Sequence, residues 1–164
     1  MLFEPSTSPQ TLFCIFLPTE QVLTYRPIPT IGADMSRERV NTGTPFEQVA
    51  GFSRAIRVGQ TVHVSGTTAT DQEGRVLAKG DATEQTRIAL QRIQRALVEV
   101  GASMKDVVRT RMYAVNENDC YRIMRAHGDF FKDILPATTL VVVKGLVDPE
   151  MLIEVEAIAV ISRN

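Results

Sequence analysis

PATTLVVVKGLVDPEMLIEVEAIAVI, residues Pro136 to Ile161, is the stretch around which the chain is organised. It holds two apolar strands separated by a turn from Lys144 to Glu150. Val141, Val142 and Val143 follow one another without a polar interruption, the pattern of a strand covered on both faces. The second strand alternates: Ile153, Val155, Ala157 and Ala159 fall on one face, and Leu152, Glu154, Glu156, Ile158 and Val160 on the other. Two carboxylates on an otherwise apolar face are not the mark of a simple solvated surface. They predict a face covered by another subunit, with a few polar groups retained for a site.

Working outward, 164 residues make one domain with room for a core, and 44% hydrophobic with 23% charged residues is ordinary globular composition. A net charge of −1 leaves no electrostatic footprint for nucleic acid. Cys14 and Cys120 stand far apart, outside any C-x-x-C spacing, and read as free thiols of a reducing compartment. Residues 1–34 differ in character, with five of the eight prolines and no Lys or Arg before Arg26. The run Leu12–Leu17 is far short of the roughly 20 residues a membrane span needs, and it lacks the positive flank of a secretory signal. Residues 1–34 are therefore read as an N-terminal extension, or the product of an upstream start, ahead of a domain at 35–164. No membrane contact and a cytoplasmic location are the corresponding expectations.

From Met35 to Glu47 the chain is polar and expected to be irregular. Gly59-Gln60 between two alternating runs predicts a two-residue hairpin turn, and Asp71–Gly74 a further turn leading into a short strand at Arg75–Lys79. Asp81 with Glu84 has capping-box spacing and opens a helix whose buried stripe is Ala89, Ile93, Ala96, Leu97 and Val100, stopped at Gly101. Arg87, Arg92 and Arg95 fall on its solvated side. Val107–Val115 reads as a strand, with Val108, Met112 and Ala114 facing the helices and Arg109, Arg111 and Tyr113 facing away. Arg111 can then meet Glu154 or Glu156. A second helix is expected from Asp119 to Ile134, burying Tyr121, Met124, Phe131 and Ile134 and ending at Pro136. Gly128 inside it, at a cost of about 1 kcal/mol against Ala, suggests a close approach by backbone or ligand. The sum is an α+β domain: a mixed β-sheet with two helices packed on one face, whose second face is apolar enough to demand oligomerisation.

VGQTVHVSG, ATEQTRIALQRI, SMKDVVRTRMY and PATTLVVV followed by IEVEAIAV together resemble the YjgF/RidA family over about residues 50–161. The resemblance implies a chorismate-mutase-like fold, a homotrimer with small-molecule pockets at the subunit interfaces, and cofactor-free hydrolysis of enamines and imines such as 2-aminoacrylate. The family's carboxylate-gripping arginine falls on Thr138, whose hydroxyl cannot replace a guanidinium fork. Deamination of free α-imino acids is therefore not expected. The family's pocket tyrosine falls on Phe52, while Gly66 and the water-positioning Glu154 are kept. Glu154 is the catalytic candidate, with a pKa raised by partial burial. Phe52, Gly66, Thr138 and Leu140 are candidate substrate contacts, and Arg54 or Arg111 a displaced positive charge. The alternative is a non-catalytic trimer binding a metabolite or a protein, with Glu154 and Glu156 as interface partners of Arg109 and Arg111; RNA cleavage is a more remote reading. His63 and His127 lie on different elements, so no metal site is expected, and neither Ser65 nor Thr138 has a His–Asp partnership for nucleophilic attack.

Overall fold

In the computed structural model of the protein, residues 36–162 are described, so the expectations for residues 1–34, Cys14 among them, lie outside the described residues. Six strands form one sheet in the order β1-β2-β3-β6-β4-β5: β1 Arg37–Val40, β2 Ala55–Val58, β3 Thr61–Thr67, β4 Val107–Ala114, β5 Ala137–Val142 and β6 Ile153–Val160. All neighbours are antiparallel except β4 and β5, which makes the sheet mixed. The Gly59-Gln60 turn is present, with Gly59 at φ 61°, the left-handed backbone that this hairpin position requires.

Helix α2 spans Ala82–Glu99 and α3 spans Cys120–Phe131. The Asp81 carboxylate accepts from the N–H groups of Thr83 and Glu84 and so caps α2. The reciprocal half of the expected capping box is missing, because the Asp81 N–H donates to the Ala78 carbonyl instead. The stripe Ala89, Ile93, Ala96, Leu97 and Val100 is buried against the sheet residues Val62, Val64, Met112, Ala114, Ile153, Val155, Ala157 and Ala159. The alternation read along Ile153–Val160 is thus the division between the core and the other face of the sheet.

Several expectations are corrected. The segment after Met35 contains β1 and a short helix α1, Pro45–Ala50, started by Pro45 and stopped at Gly51 with φ 67°. Arg75–Lys79 forms no strand; only a single bridge joins Thr70 to Val76. In β4 a bulge between Val107 and Arg109 turns Val108 out to 46% exposure, and Thr110 takes the core-facing place. In α3 the buried residues are Ile123, Ala126, His127 and Phe131, while Tyr121 is 70% exposed and Met124 is also exposed. The true stripe runs through 123, 127, 130/131 and 134, and the helix ends before Pro136 in a turn that puts Leu135 at φ 56°. Among the described residues nothing lies within 4 Å of where a Cβ of Gly128 would stand, so no backbone of the chain approaches it closely. β5 is an edge strand, and within the single chain Val141 and Val142 are exposed, so no element of the chain itself covers them. Together with Val108 and Val160 they leave apolar surface at the far side of the sheet and its edge.

Candidate functional site

Glu154 and Gly66 meet across the β3–β6 pair, where a register shift between Val64 and Thr67 opens the ladder. A Cβ placed on Gly66 would lie 1.7 Å from Glu154 Oε1, so the carboxylate rests directly over the Gly66 Cα. Only a glycine leaves room for it. Glu154 is half-buried, and desolvation together with the charge of Glu156 raises its pKa, against the opposing pull of Arg54.

Arg54 stands behind this contact. Its side chain is 6% exposed, its Nη1 donates to the Gly66 carbonyl (2.7 Å) and to Thr67 Oγ1 (3.0 Å), and its Nε lies 3.6 Å from Glu47 Oε1. Glu47 is locked in turn by Thr42 N–H, Thr42 Oγ1 and Gly43 N–H. The Phe52 ring packs 5.4 Å from the guanidinium carbon, within cation–π range. Burial lowers the Arg54 pKa, while Glu47 and Glu154 counteract it. Arg54 is thus a buried strut that fixes the backbone at Gly66, and the two carboxylates offset its charge.

On the same face Arg111 Nη1 reaches Glu156 Oε2 at 3.3 Å, opposite it in register, and Tyr113 sits opposite Glu154. Burial first, then Glu156 as charge and hydrogen-bond partner, raises the Tyr113 phenol. The meeting of Arg111 with an acidic residue of β6 is with Glu156, not Glu154. A shallow depression of about 230 Å³, lined by His63, Ser65, Arg109, Arg111, Glu156 and Ile158, occupies this face.

Thr138 and Leu140 lie elsewhere. They are opposite Thr110 and Met112 in β4, which places them on the helix-facing side of the sheet edge; Leu140 packs against the core. Two strand spacings, roughly 10 Å, and the thickness of the sheet separate them from Glu154. One chain therefore brings together Phe52, Arg54, Gly66 and Glu154, with Arg111 on the same sheet face. It does not bring Thr138 and Leu140 to them. Thr138 Oγ1 instead ends a hydrogen-bonded row: His127 Nε2 to Thr110 Oγ1 (3.0 Å), Thr110 Oγ1 to Thr138 Oγ1 (2.9 Å), and Thr138 Oγ1 to the Pro136 carbonyl (3.1 Å). Burial lowers the pKa of His127, whose ring packs on Phe131 at 4.5 Å.

Sequence reading missed Glu47, Thr110 and His127 as members of these networks. For Glu47 a signal existed: Thr44-Pro45-Phe46-Glu47 has helix-start spacing, although Glu47 reaches past Thr44 to Thr42 and Gly43. Thr110 shares the core-facing alternation of Met112 and Ala114, but nothing in the strand's own sequence signals its partner His127 on α3. Among the described residues no group of three or more His, Cys, Asp or Glu side chains is placed to hold a metal ion.

Comparison with known proteins agrees with this architecture. The family model described as Endoribonuclease L-PSP matches residues 42–161. A crystal structure of a YjgF-family member from Mycobacterium tuberculosis superposes with a TM-score of 0.70 at 40% identity, covering 77% of this chain and 100% of that one. A RutC family protein of Pyrococcus abyssi is 34% identical over 76% of this chain and 98% of its own length. The 3-aminoacrylate deaminase RutC of Acinetobacter baylyi is 34% identical over 71% of this chain and 91% of its own.

Proposed function

As the chain belongs to the Endoribonuclease L-PSP family, that of the YjgF and RidA proteins, we propose that it is a cytoplasmic, cofactor-independent hydrolase of small enamines or imines. On this reading it works as a chorismate-mutase-like homotrimer with its pockets between subunits, and residues 1–34 are an extension of the 35–164 domain. The observation that carries the reading is Glu154: a half-buried carboxylate, its pKa raised, held against a glycine beside a fixed arginine. A carboxyl group so placed can exchange a proton with a substrate carbon or a water.

The reaction needs little else. The Glu154 carboxyl protonates the enamine carbon to give an iminium, and the resulting carboxylate orients a water onto the C=N carbon and takes its proton, giving a carbinolamine. Glu154 returns that proton to the nitrogen, the C–N bond breaks and ammonia leaves, and the hydroxyl proton passes to Glu154 as the carbonyl forms. Phe52 and the Gly66 backbone border the reacting group, and Arg111 with Glu156 sets the charge beside it. Thr138 and Leu140 complete the pocket from a neighbouring subunit, which is why they lie away from Glu154 within one chain. Thr138 offers a hydroxyl and not a guanidinium, so a free α-imino acid finds no bidentate grip. The relative named 3-aminoacrylate deaminase makes enamines with the acid group elsewhere the first compounds to try.

The test is release of ammonia from enzymatically generated 3-aminoacrylate and 2-aminoacrylate, by the full chain and by Glu154→Gln. Expected are acceleration of the first, little or none of the second, and loss of about 100-fold or more in the variant. A Glu154→Gln protein as active as the parent contradicts the reading. The Arg111–Glu156 ion pair, which gives Glu156 a structural partner within the chain, favours the second reading, a non-catalytic trimer whose charged sheet face only packs against other copies. That reading predicts loss of the trimer and no hydrolysis by either protein.

A further inference from the structure

A larger cavity lies away from Glu154. It measures about 550 Å³ and opens between the loop Asn41–Thr44, the turn at Thr70–Gln72 and one face of α2. Its size is that of a small-molecule pocket. Ile88, Arg92, Arg95 and Glu99 recur at intervals of three and four residues, so α2 turns one continuous stripe toward it. Leu77, Ile88 and Ala96 give it an apolar wall.

Three guanidinium groups converge there. Arg54 is buried, yet it lines the cavity with Arg92 and Arg95. Two of the three are held in place by the fold. Arg54 is anchored through Nη1 to Gly66 and Thr67, and Arg92 through Nη1 to the carbonyl and hydroxyl oxygens of Thr70. Neither has a partner for Nη2 among the described residues, and Arg95 has no ion pair there. Burial first, then the like charge of Arg54, lowers the pKa of Arg92; Glu47 opposes them, Arg95 adds to them, and Asp71 opposes in turn, with the balance remaining downward. The nearby acids do not cancel this. Glu47 is taken by Thr42, Gly43 and Arg54, Asp71 by Arg75 through its side chain and backbone, and Glu99 sits exposed at the rim. The buried Thr44 hydroxyl, at the start of α1, has no hydrogen-bond partner and borders the same cavity. Glu47 and Glu154 offset the charge of Arg54, but Arg92 and Arg95 form no ion pair among the described residues, and like charges in a partly desolvated cleft are stabilised by an anion.

We propose that this cleft binds a small molecule carrying an oxyanion, a phosphate or carboxylate group, with a short apolar body lying against Leu77, Ile88 and Ala96. Arg92 and Arg95 grip the anionic end, since a guanidinium fork matches either oxyanion. Arg54 closes the inner end of the cleft. The site is separate from the hydrolytic pocket and stands whether or not that pocket is catalytic.

Calorimetric titration of the full chain with inorganic pyrophosphate and with citrate, at constant ionic strength set by chloride, tests it. One saturable site per chain is expected for at least one probe, and the better probe tells phosphate from carboxylate. Arg95→Gln, at an exposed position with no tether to lose, should weaken binding about tenfold or more. Arg92→Gln should weaken it at least as much. No saturable binding of either anion, or binding that Arg95→Gln leaves unchanged, overturns the proposal.

Discussion

Gly66→Ala puts the contact between Gly66 and Glu154 to the test with a single methyl group. That methyl would begin 1.7 Å from Glu154 Oε1 and 2.8 Å from its Cδ. An ordinary carbon–oxygen contact needs roughly 3.4 Å, so the carboxylate must retreat by about 1.5–2 Å. It can do so, because it is the free end of a flexible side chain and the backbone itself is not in the way. Gly66 is also not at positive φ, so alanine brings no backbone strain. Loss of unfolded-chain entropy stabilises the variant by about 0.4–1 kcal/mol, and an off-rotamer Glu154 costs about 0.5–1.5 kcal/mol, leaving net stability within about 1 kcal/mol of the parent. Catalysis has no such tolerance: misplacing a reacting group by 1 Å costs about 100-fold. Urea unfolding with ammonia release on the same preparation is the assay. Near-parental stability with activity down about 100-fold is the expected pair. Full activity would mean that the carboxylate position over Gly66 is irrelevant to turnover. A loss of 3 kcal/mol or more, the size of a core defect, would mean that the contact is packing and not a site.

Other consequences follow from the same contacts. Arg54→Met strands Glu47 as an unpaired buried charge and frees the Gly66 carbonyl, so denaturant unfolding should show a loss of about 3–5 kcal/mol. Glu154 has a folded-state pKa above its unfolded value, so the native state holds more protons in that window and stability falls as pH rises through it. Glu154→Gln should therefore raise the melting temperature at pH 7 and have little such effect at pH 4. His127 behaves oppositely: burial depresses its folded pKa, so its neutral form supports the fold near pH 7 and that support is lost as pH falls below about 6.5. His127→Gln should flatten the acid side of the stability profile. Thr138→Arg should gain hydrolysis of 2-aminoacrylate, measured as pyruvate formed.

Much of the fold was legible because hydrophobic period carries it. The alternation along Ile153–Val160 and the stripe of α2 are direct records of which face is dry. What was not legible depends on events that break the period. The bulge at Val107–Arg109 breaks the alternation at the start of β4, turning Val107 inward and Val108 out, and no residue type in that run announces it. In α3 the stripe was misplaced at its start because Tyr121 and Met124 read as core residues beside the buried Ile123, while a buried histidine and an alanine fill the true face. Arg92 was expected on a solvated surface, since composition cannot show that the Thr70 turn folds back onto it. For the candidate site, Gly66 and Glu154 were nameable from motif and alternation. The part played by Arg54 was not, because it depends on Glu47 arriving from a segment expected to be irregular.

The claim on which the functional account rests is that the sheet face bearing Glu154 and Glu156, with its neighbouring edge at Val141 and Val142, is covered by other copies of the chain. Sedimentation equilibrium at micromolar concentration measures this directly. With a chain mass of 18.2 kDa, the account predicts a species of about 55 kDa, three copies, that persists on dilution. A folded protein sedimenting at 18.2 kDa across the same range would contradict it, because Thr138 and Leu140 would then never meet Glu154.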